Sequence, residues 1–378
     1  MIDRKRILFV TYSVSLIYNW VIKLIPYLHD CEVLVVHIRK LEDVSHFQEL
    51  PVKNIDITGF SYKRISSLID NYNPSLCVFF NFKGIIEQLL LRICKKKCIK
   101  TLYLEHGIIT DDVITFKKLK LAHLPKRLKR VFIQFYQYFS FLLRSNHPLQ
   151  ELRIMYEVLM HNKFSLSTFD YYFVFGHRCL KFISEMFPVE ENKNAFIVGY
   201  PLFESLIQRN EATSREEQKK LGVLYVHQPF IRDQYTTISY EEERAYIMQW
   251  ARKLFPEFGA FTVLLHPREN LEFYKKLYEK TNIKVIQSPN NYLLFKQSRL
   301  VLGHYSTALL YPLYFNIPTY IIEYPQVVIP SIFGNIFPSL TLQESIVLEN
   351  AHEYPNKTYL IGTHNTFEHI AMMICNRI

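Results

Sequence analysis

Short apolar runs recur along the chain and alternate with longer segments of mixed polarity. The runs are apolar at nearly every position, which is typical of strands buried on both faces of a parallel sheet. The segments between them are long enough for the helices that parallel connections need. The runs lie at 6–12, 32–38, 75–82, 99–105, 171–176 and 195–201, and then at 222–229, 261–267, 283–288, 299–305 and 318–325.

This alternation predicts an α/β protein with two Rossmann-like doubly wound domains. Each set of runs suffices for one open sheet, and 378 residues exceed what a single hydrophobic core usually organises. A charged stretch at 202–222 separates the sets, so we predict an N-terminal domain at 1–205 and a C-terminal domain at 206–378. We expect the carboxyl ends of the sheets to face a central cleft. The last segment, 363–378, predicts a helix that packs back on the first domain.

The region at about 111–168 interrupts the alternation. Helical spacing within 123–144 puts six apolar residues on one face: Leu128, Val131, Phe132, Phe135, Phe139 and Leu142. The basic residues Lys126, Arg127, Lys129 and Arg130 precede most of this face. Cations followed by aromatic rings suit an interfacial anchor on an anionic membrane. An inserted helical pair packed on the first domain explains the same pattern, because Ile133, Tyr136 and Phe141 make the helix apolar nearly all round.

Composition narrows the class of protein. The chain is 49% hydrophobic and 21% charged, as folded proteins are, and its formal net charge of +10 predicts an acidic partner. The lysines and arginines gather in the insertion without a nucleic-acid motif, so we expect no nucleic acid and favour an acidic glycan or lipid.

Six cysteines without a disulfide framework predict a reducing compartment. Cys94 and Cys98 have no second cluster at zinc-ligand spacing, so no metal site is expected. We find no signal-peptide core and no uncharged apolar run of eighteen residues. The expected location is the cytoplasm, with peripheral contact through 123–144 to the inner face of the cytoplasmic membrane as one interpretation.

The usual nucleotide and nucleophile motifs are absent, so the candidate chemistry lies in polar residues that follow predicted strands. Glu105, His106 and Gly107 follow the fourth run. A carboxylate beside an imidazole there would remove a proton from a bound hydroxyl, and Gly107 permits a sharp turn. In the structural alternative, Glu105 caps a turn and His106 is a surface residue. The aromatic and hydroxyl side chains at 12–20 fit an acceptor groove or helix packing equally well.

Two further groups follow strands of the second domain. His266 precedes Pro267, which restricts it to extended backbone and suits the first turn of a following helix, with Arg268 next. Such a histidine would donate a hydrogen bond or a proton to a phosphate oxygen, although a lone histidine is more often structural. Ser306 and Thr307 stand after His304 where N-cap residues belong, at a position suited to phosphate or to ordinary capping. Pro312 predicts a kink in the helix that follows.

Together these elements resemble the bacterial sialyltransferases and polysialyltransferases of the GT-B fold. The shared pattern is an acidic residue and glycine in the first domain, His-Pro after one strand and Ser-Thr two βα units later. Similar stretches are YYFVFGHRCLKFI, FIVGYPLFESL and VLYVHQPFIRDQYTTISYEEE, with Gln228 before a proline in the last. The resemblance spans about residues 99 to 325.

The resemblance implies an inverting glycosyltransferase that needs no metal or other cofactor. It would transfer sialic acid, or a related nonulosonic acid, from a CMP donor to a lipooligosaccharide or capsule precursor. Glu105 would be the general base. His266 would assist CMP departure, with Ser306 and Thr307 holding the donor phosphate and Pro267 and Gln228 beside it; Arg268 and His304 are further candidates for that site.

One position departs from the family pattern. The family commonly has two carboxylates before the glycine, whereas His106 fills the second position here and is an alternative base. Similar turns occur in CDP-glycerol phosphotransferases and some Kdo transferases, so transfer from CDP-glycerol or CMP-Kdo is the enzymatic alternative. The non-enzymatic alternative is a membrane-bound scaffold of the same fold.

Overall fold

A computed structural model gives the structure of the chain. It describes residues 5–12, 16–38, 50–107, 134–161, 164, 166–203, 221–233, 235–288, 292–329, 331–345, 357–363 and 366–377.

The chain divides into two compact units. The first takes its residues from Met1–Ile109, Leu121–Leu202 and Thr358–Ile378, and the second takes them from Thr110–Lys120 and Phe203–Lys357. Each unit has one parallel sheet with its own core. The predicted α/β class with two Rossmann-like doubly wound sheets is confirmed.

The first sheet has seven strands in the order β3-β2-β1-β4-β5-β6-β7, all paired in parallel. Its central strand β1 pairs Phe9 with Val35 on one side and with Val78 on the other. The strands are β1 (Lys5–Thr11), β2 (Cys31–His37), β3 (Asn54–Asp56), β4 (Leu76–Phe79), β5 (Lys100–Leu104), β6 (Tyr171–Val174) and β7 (Ala195–Ile197).

The second sheet repeats this winding with six parallel strands in the order β10-β9-β8-β11-β12-β13. In both sheets the chain winds outward from the first strand to one side and then returns to wind to the other. The strands are β8 (Leu221–Val226), β9 (Phe261–Leu264), β10 (Ile283–Ile286), β11 (Ser298–Gly303), β12 (Thr319–Ile322) and β13 (Ser339–Leu340).

Helices connect the strands, as parallel pairing requires. In the first unit they are α1 (Tyr62–Tyr72), α2 (Ile85–Lys96), α3 at 134–142, α4 (Pro148–His161) and α5 (His177–Met186). The second unit contains α6 (Tyr240–Phe258), α7 (Leu271–Tyr278), α8 (Tyr292–Gln297), α9 (Leu310–Tyr314) and α10 (Ser331–Ile336). The chain then forms α11 (Lys357–Ile361) and α12 (Phe367–Cys375). None of the helices in the described part of the chain is both long and apolar enough to cross a bilayer.

The two strands that the apolar pattern did not predict are both at sheet edges. β3 is only three residues long, Asn54–Asp56, and β13 has two residues. An edge strand is paired on one side only and needs no continuous apolar run, so these strands leave no signal in the pattern.

An irregular helical segment at 17–27 follows β1, made of a π-helix (Ile17–Val21), an α-helical turn (Ile22–Leu24) and a 3₁₀ turn (Ile25–Tyr27). Trp20 is fully buried there and stacks on Phe175 with the ring centroids 5.9 Å apart. Phe367 of α12 meets the indole edge-on at 5.7 Å. This aromatic residue of the 12–20 stretch therefore serves helix packing, and α12 belongs to the core of the first unit.

The segment before α12 lies against the end of β6. A methyl group added at Gly176 would come within 2.7 Å of the Leu360 backbone. Gly362 has a positive φ of 67°, and a methyl group there would meet the Phe175 carbonyl at 2.4 Å. Only glycine permits both this conformation and this approach. Two glycines thus allow the end of the chain to dock on the first unit.

The predicted apolar face of the helix at 123–144 is partly exposed and partly buried where it can be checked. Residues 123–133 lie outside the described residues. In α3, Leu142 and Phe141 are buried, whereas Phe135 and Phe139 are exposed. The spacing alone could not choose the inner face, because the helix carries apolar residues nearly all round.

The substitution Gly176→Ala tests the docking of the C-terminal segment. The added methyl group has no room beside the Leu360 backbone, so we expect unfolding in urea to show a loss of about 1–3 kcal/mol. Gly334→Ala is the matched control, because nothing lies within 4 Å of its new methyl group. Equal stability of the two variants would contradict the tight docking.

Candidate functional site

Polar side chains collect where each sheet reverses its winding. In the first sheet this point lies between β1 and β4, and in the second it lies between β8 and β11. Open α/β sheets bind their ligands at the carboxyl ends of such strands. The polar residues that follow β1, β4 and β5 in one unit, and β8, β9 and β11 in the other, are therefore the candidates.

His106 follows β5 and reaches across the end of β4 to the residue after β1. Its Nε2 lies 3.0 Å from the Tyr12 hydroxyl, and its ring meets Phe80 edge-on at 6.1 Å. Burial lowers the pKa of His106 to about 4, although a hydrogen bond to the Phe80 backbone opposes the shift. The imidazole is therefore neutral at neutral pH. Gly107 follows it in a half-buried bend.

Glu105, the predicted general base, is fully buried. Its Oε2 accepts a hydrogen bond of 2.6 Å from the Phe175 amide, just past the end of β6. Burial and the neighbouring Glu105 carboxylate together raise the pKa of the Cys179 thiol well above its usual value. In this arrangement Glu105 ties the ends of β5 and β6 together, and the partly exposed His106 is better placed to meet a substrate.

The first unit also holds a buried acid that the sequence did not reveal. Glu87 lies in the first turn of α2, and Asn81, just after β4, donates to its Oε1 at 3.4 Å. Burial raises the pKa of Glu87 to about 7, against the opposing hydrogen bonds from its own amide and from Asn81. Since acids with perturbed pKa values are frequently functional, Glu87 joins the candidates. Its sequence signal is a glutamate on the apolar face of a helix.

His266 follows β9 in a tight turn. Its Nδ1 accepts a hydrogen bond of 3.2 Å from the Arg268 amide, and its carbonyl accepts one of 2.9 Å from the Gln287 side chain. Burial, with nearby Arg268 adding to it, lowers the pKa of His266 to about 4. A neutral ring that accepts at Nδ1 carries its proton on Nε2. His266 therefore presents an N–H donor.

The position predicted for Pro267, in the first turn of a helix, is wrong. Pro267 lies in the turn itself, and α7 begins only at Leu271, where the Asn270 side chain accepts a hydrogen bond from the Phe273 amide. Asparagine is a strong N-cap, so the helix starts after it. Arg268 is half-exposed and donates to the Asp233 carboxylate at 2.9 Å. That pairing reduces its availability for a second anion.

Ser306 is confirmed as an N-cap. Its hydroxyl accepts a hydrogen bond of 3.2 Å from the Ala308 amide, ahead of a 3₁₀ turn (Thr307–Leu309) that leads into α9. α9 has only five residues and contains Pro312, consistent with the predicted interruption. Ser306 and Thr307 are both half-buried, so the two hydroxyls lie at the surface of the strand end.

His304, a further candidate for the donor site, belongs to the interior of the second unit. Its Nδ1 donates to the Ile322 carbonyl at 2.7 Å, and its Nε2 accepts from the Tyr225 hydroxyl at 2.7 Å. Burial lowers the pKa of His304 to about 3, against the hydrogen bond to Ile322. With both ring nitrogens occupied, it positions the start of the 303–307 segment and has no nitrogen left for a ligand.

The main electrostatic feature of the second unit is a buried network around Glu243 of α6. Glu243 accepts hydrogen bonds from His227 at 3.1 Å, from Tyr274 at 2.8 Å and from Tyr324. Burial opposes the charged form, but these three bonds prevail and lower the pKa of Glu243. His227 is the residue directly after β8, and the predicted donor ligand Gln228 follows it, half-buried. The network fixes the strand end that carries Gln228.

The sequence did not identify this network, although it contained a signal. Glu243 lies in a run of three glutamates that looks solvent-exposed, yet its spacing to Ile247, Trp250 and Leu254 puts it on the buried face of α6. Its partner Tyr324 is 81 positions away.

Glu269 is a second missed acid, three residues after His266. It is buried, and burial raises its pKa, while His227 opposes the shift. Its Oε1 has no hydrogen-bond partner within the described part of the chain. Among the described residues, no three histidines, cysteines or acids gather in a way that could hold a metal ion.

Replacing Glu243 by alanine should strongly destabilise the second unit. The change removes one charge from a buried network and takes away the carboxylate that accepts hydrogen bonds from His227, Tyr274 and Tyr324, so we expect a loss of about 3–5 kcal/mol in urea unfolding. Glu242→Ala, at the adjacent exposed position, should cost far less. A similar loss in both variants would exclude the network as a stabilising centre.

No family model and no curated protein matches the chain, but solved structures share its fold. The UDP-GlcNAc 2-epimerase of Methanocaldococcus jannaschii, in complex with UDP-GlcNAc and UDP, superposes with a TM-score of 0.54 at 14% identity, covering 98% of this chain and 99% of that one. The S. aureus MnaA–UDP structure gives 0.55 at 13% identity, with 99% and 98% covered. The glycotransferase of kitacinnamycin gives 0.56 at 9% identity, with 99% of each chain covered. At these identities the likeness shows the fold alone, which is the predicted GT-B architecture.

Proposed function

We propose that the protein is an inverting glycosyltransferase that moves sialic acid, or a related nonulosonic acid, from a CMP donor to a bacterial cell-surface glycan precursor in the cytoplasm. The observation that carries this proposal is the set of donor groups at the carboxyl ends of the second sheet. His266 offers an N–H, and Ser306 and Thr307 offer hydroxyls, on strand ends on either side of β8. These are the positions that the family resemblance assigns to the donor phosphate.

The protonation state of His266 defines its role in the reaction. With a pKa near 4 it is neutral at pH 7, so it holds the leaving phosphate as a hydrogen-bond donor rather than as an imidazolium acid. The reacting carbon of a sialic acid passes through an oxocarbenium-like transition state while the CMP phosphate gains charge. Donors that are already positioned stabilise that charge without reorganising, which is commonly the largest catalytic contribution. CMP then leaves as the phosphate anion.

We propose that the general base that deprotonates the acceptor hydroxyl belongs to the Glu105-His106 pair. Neutral His106 can accept the proton, directly or through the Tyr12 hydroxyl 3.0 Å away, because its low pKa leaves it unprotonated. Glu105 would support this turn through its bond to the Phe175 amide. In this proposal the acceptor oxygen attacks the anomeric carbon, its proton goes to His106, and the bond to the phosphate oxygen breaks.

A UDP-linked donor is the second candidate. Two solved structures with this fold contain UDP, one of them with UDP-GlcNAc as well, and their superpositions cover nearly the whole chain. The hydrogen-bond donors at 266, 306 and 307 suit the phosphates of either nucleotide. The two candidates therefore differ in the nucleobase and in the sugar that the protein must recognise.

The nucleotide is tested by thermal unfolding of the full chain with CMP, CDP, UDP and GDP. A ligand that binds only the folded state raises the melting temperature, so we expect CMP to raise it most. A shift with UDP and none with CMP would replace the CMP donor by the second candidate. No shift with any nucleotide would favour the non-enzymatic scaffold.

Turnover is measured as CMP release from CMP-sialic acid with a panel of glycans, with mass spectrometry of the products. Loss of phosphate contacts in His266→Ala, and in the double variant Ser306→Ala and Thr307→Ala, should lower kcat about 100- to 1000-fold. His106→Gln should lower it at least about 100-fold, with an unchanged melting temperature. The exposed His29→Ala is the histidine control and should keep full activity. Turnover within threefold of wild type in folded His266 and His106 variants would refute the assignment.

The pH dependence follows from the neutral histidines. Both pKa values lie near 4, so both rings are already in their working, unprotonated form above about pH 5.5. We therefore expect that neither histidine causes kcat/KM to rise between about pH 5.5 and 8. The variants His106→Asn and His266→Asn should lower kcat/KM without changing the shape of its pH profile in this range. An acidic limb near pH 6.5 that disappears in either variant would contradict these protonation states.

A further inference from the structure

Large apolar side chains on the surface are concentrated in one part of the first unit. Among the described residues, sixteen large apolar side chains are exposed, and eight of them lie between 135 and 166. Scattered exposed apolar residues need no explanation, but a contiguous set of this kind marks an interaction surface. The two neighbouring helices α3 and α4 carry six of the eight, and Leu143 directly follows α3.

The inner faces of these helices are already occupied. The Gln137 side chain donates to the Phe60 carbonyl, and the Phe141 ring lies 5.5 Å from that of Tyr62. The Tyr138 hydroxyl donates to the Glu151 carbonyl at 3.2 Å and so joins α3 to α4. These contacts fix the orientation of both helices, so their outer faces are not available to the core of this unit.

The outer faces carry two matching apolar stripes. Tyr136, Phe139 and Leu143 follow each other at the spacing i, i+3, i+7, and Leu149, Leu152 and Tyr156 repeat that spacing. All six side chains are between 53% and 81% exposed. Residues three, four and seven apart lie on one side of a helix, so each stripe is continuous. We call this set the outer stripe pair.

The amino-acid sequence that leads into α3 and α4 is one-sided in charge. Between residues 113 and 150 the sequence has no aspartate or glutamate and eight basic residues: Lys117, Lys118, Lys120, Lys126, Arg127, Lys129, Arg130 and Arg144. The first seven lie outside the described residues and enter here only as charge in the sequence. The nearby acids are neutralised, because Glu151 pairs with Arg92 at 3.4 Å and Glu157 with Arg153 at 3.0 Å.

We propose that the outer stripe pair docks the protein on an anionic lipid bilayer, with the side chains inserted at the level of the headgroups. Interfacial binding uses exposed apolar side chains with aromatic members, in a stretch of sequence with excess positive charge. An apolar stripe alone would equally suit a second copy of the chain, but two copies that each carry a formal net charge of +10 repel each other, whereas an anionic bilayer attracts them. The proposed contact uses a surface built from both helices, whereas the sequence pattern predicted an anchor at 123–144, and it is independent of the proposed transfer reaction.

The test is sedimentation of the full chain with lipid vesicles. Vesicles of phosphatidylcholine with a quarter phosphatidylglycerol should bind the protein, and vesicles of pure phosphatidylcholine should bind it at least about tenfold more weakly, because about 1 kcal/mol per basic residue near the surface is lost. The variant Tyr136→Glu, Phe139→Glu and Leu143→Glu should lose about tenfold or more in partition to the anionic vesicles.

The matched control places the same three charges on exposed apolar positions elsewhere: Phe255→Glu, Val328→Glu and Met372→Glu. It should keep most of the binding, which separates insertion from a general change in net charge. Circular dichroism and melting temperature verify that both variants fold.

Three outcomes would overturn the proposal. The first is no wild-type binding to anionic vesicles, and the second is equal binding by the stripe variant and the control. The third is a wild-type dimer in light scattering that the stripe variant converts to a monomer, without vesicle binding, which would assign the surface to a second copy.

Discussion

Burial of both faces of the two parallel sheets is the constraint on which the rest of the structure depends. Every residue of β4 is buried, as is every residue of β9 and β12. Strands of this kind leave little room for hydrogen-bonding side chains along their length, so polar groups collect where a strand ends. His106 occupies such a position in the first sheet, and His266 and Ser306 occupy such positions in the second, where their strands β9 and β11 lie on either side of β8.

The sheets of the two units wind in the same way, but the ionisable groups near their strand ends differ in charge. In the first, burial favours the neutral form of two groups near the strand ends: His106, beside Tyr12, is unprotonated, and the pKa of Glu87 in the helix after β4 is raised to about 7. In the second, a buried carboxylate at Glu243 stays charged because three hydrogen bonds outweigh the cost of burial. A neutral edge suits proton exchange with a hydroxyl, whereas a rigid edge with fixed donors suits the binding of an anion.

Much of the fold could be predicted because its information is local. Continuous apolar runs located eleven of the strands, and the residues just after them located His106, His266 and Ser306. The roles of other residues depend on partners far away in sequence. Glu105 binds an amide 70 positions away, and Glu243 meets Tyr324 81 positions away, so no local pattern could show that both carboxylates are buried and committed. Likewise, the face of α3 that is buried is the one that contacts Phe60 and Tyr62, which lie more than 70 positions earlier in the chain.

The docking of the last helix on the first unit affects the order in which the two units can complete their folding during synthesis. Trp20, near the start of the chain, packs on Phe367, and Arg377 lies 3.9 Å above the ring of Phe196. A ribosome synthesises all of Phe203–Lys357, and with it the sheet of the second unit, before it adds Phe367 and Arg377. Domains usually fold in the order in which they emerge, the N-terminal one first. Here the unit that begins the chain is completed last, and until then the Trp20 side chain packs against Phe80 and Phe175 without Phe367.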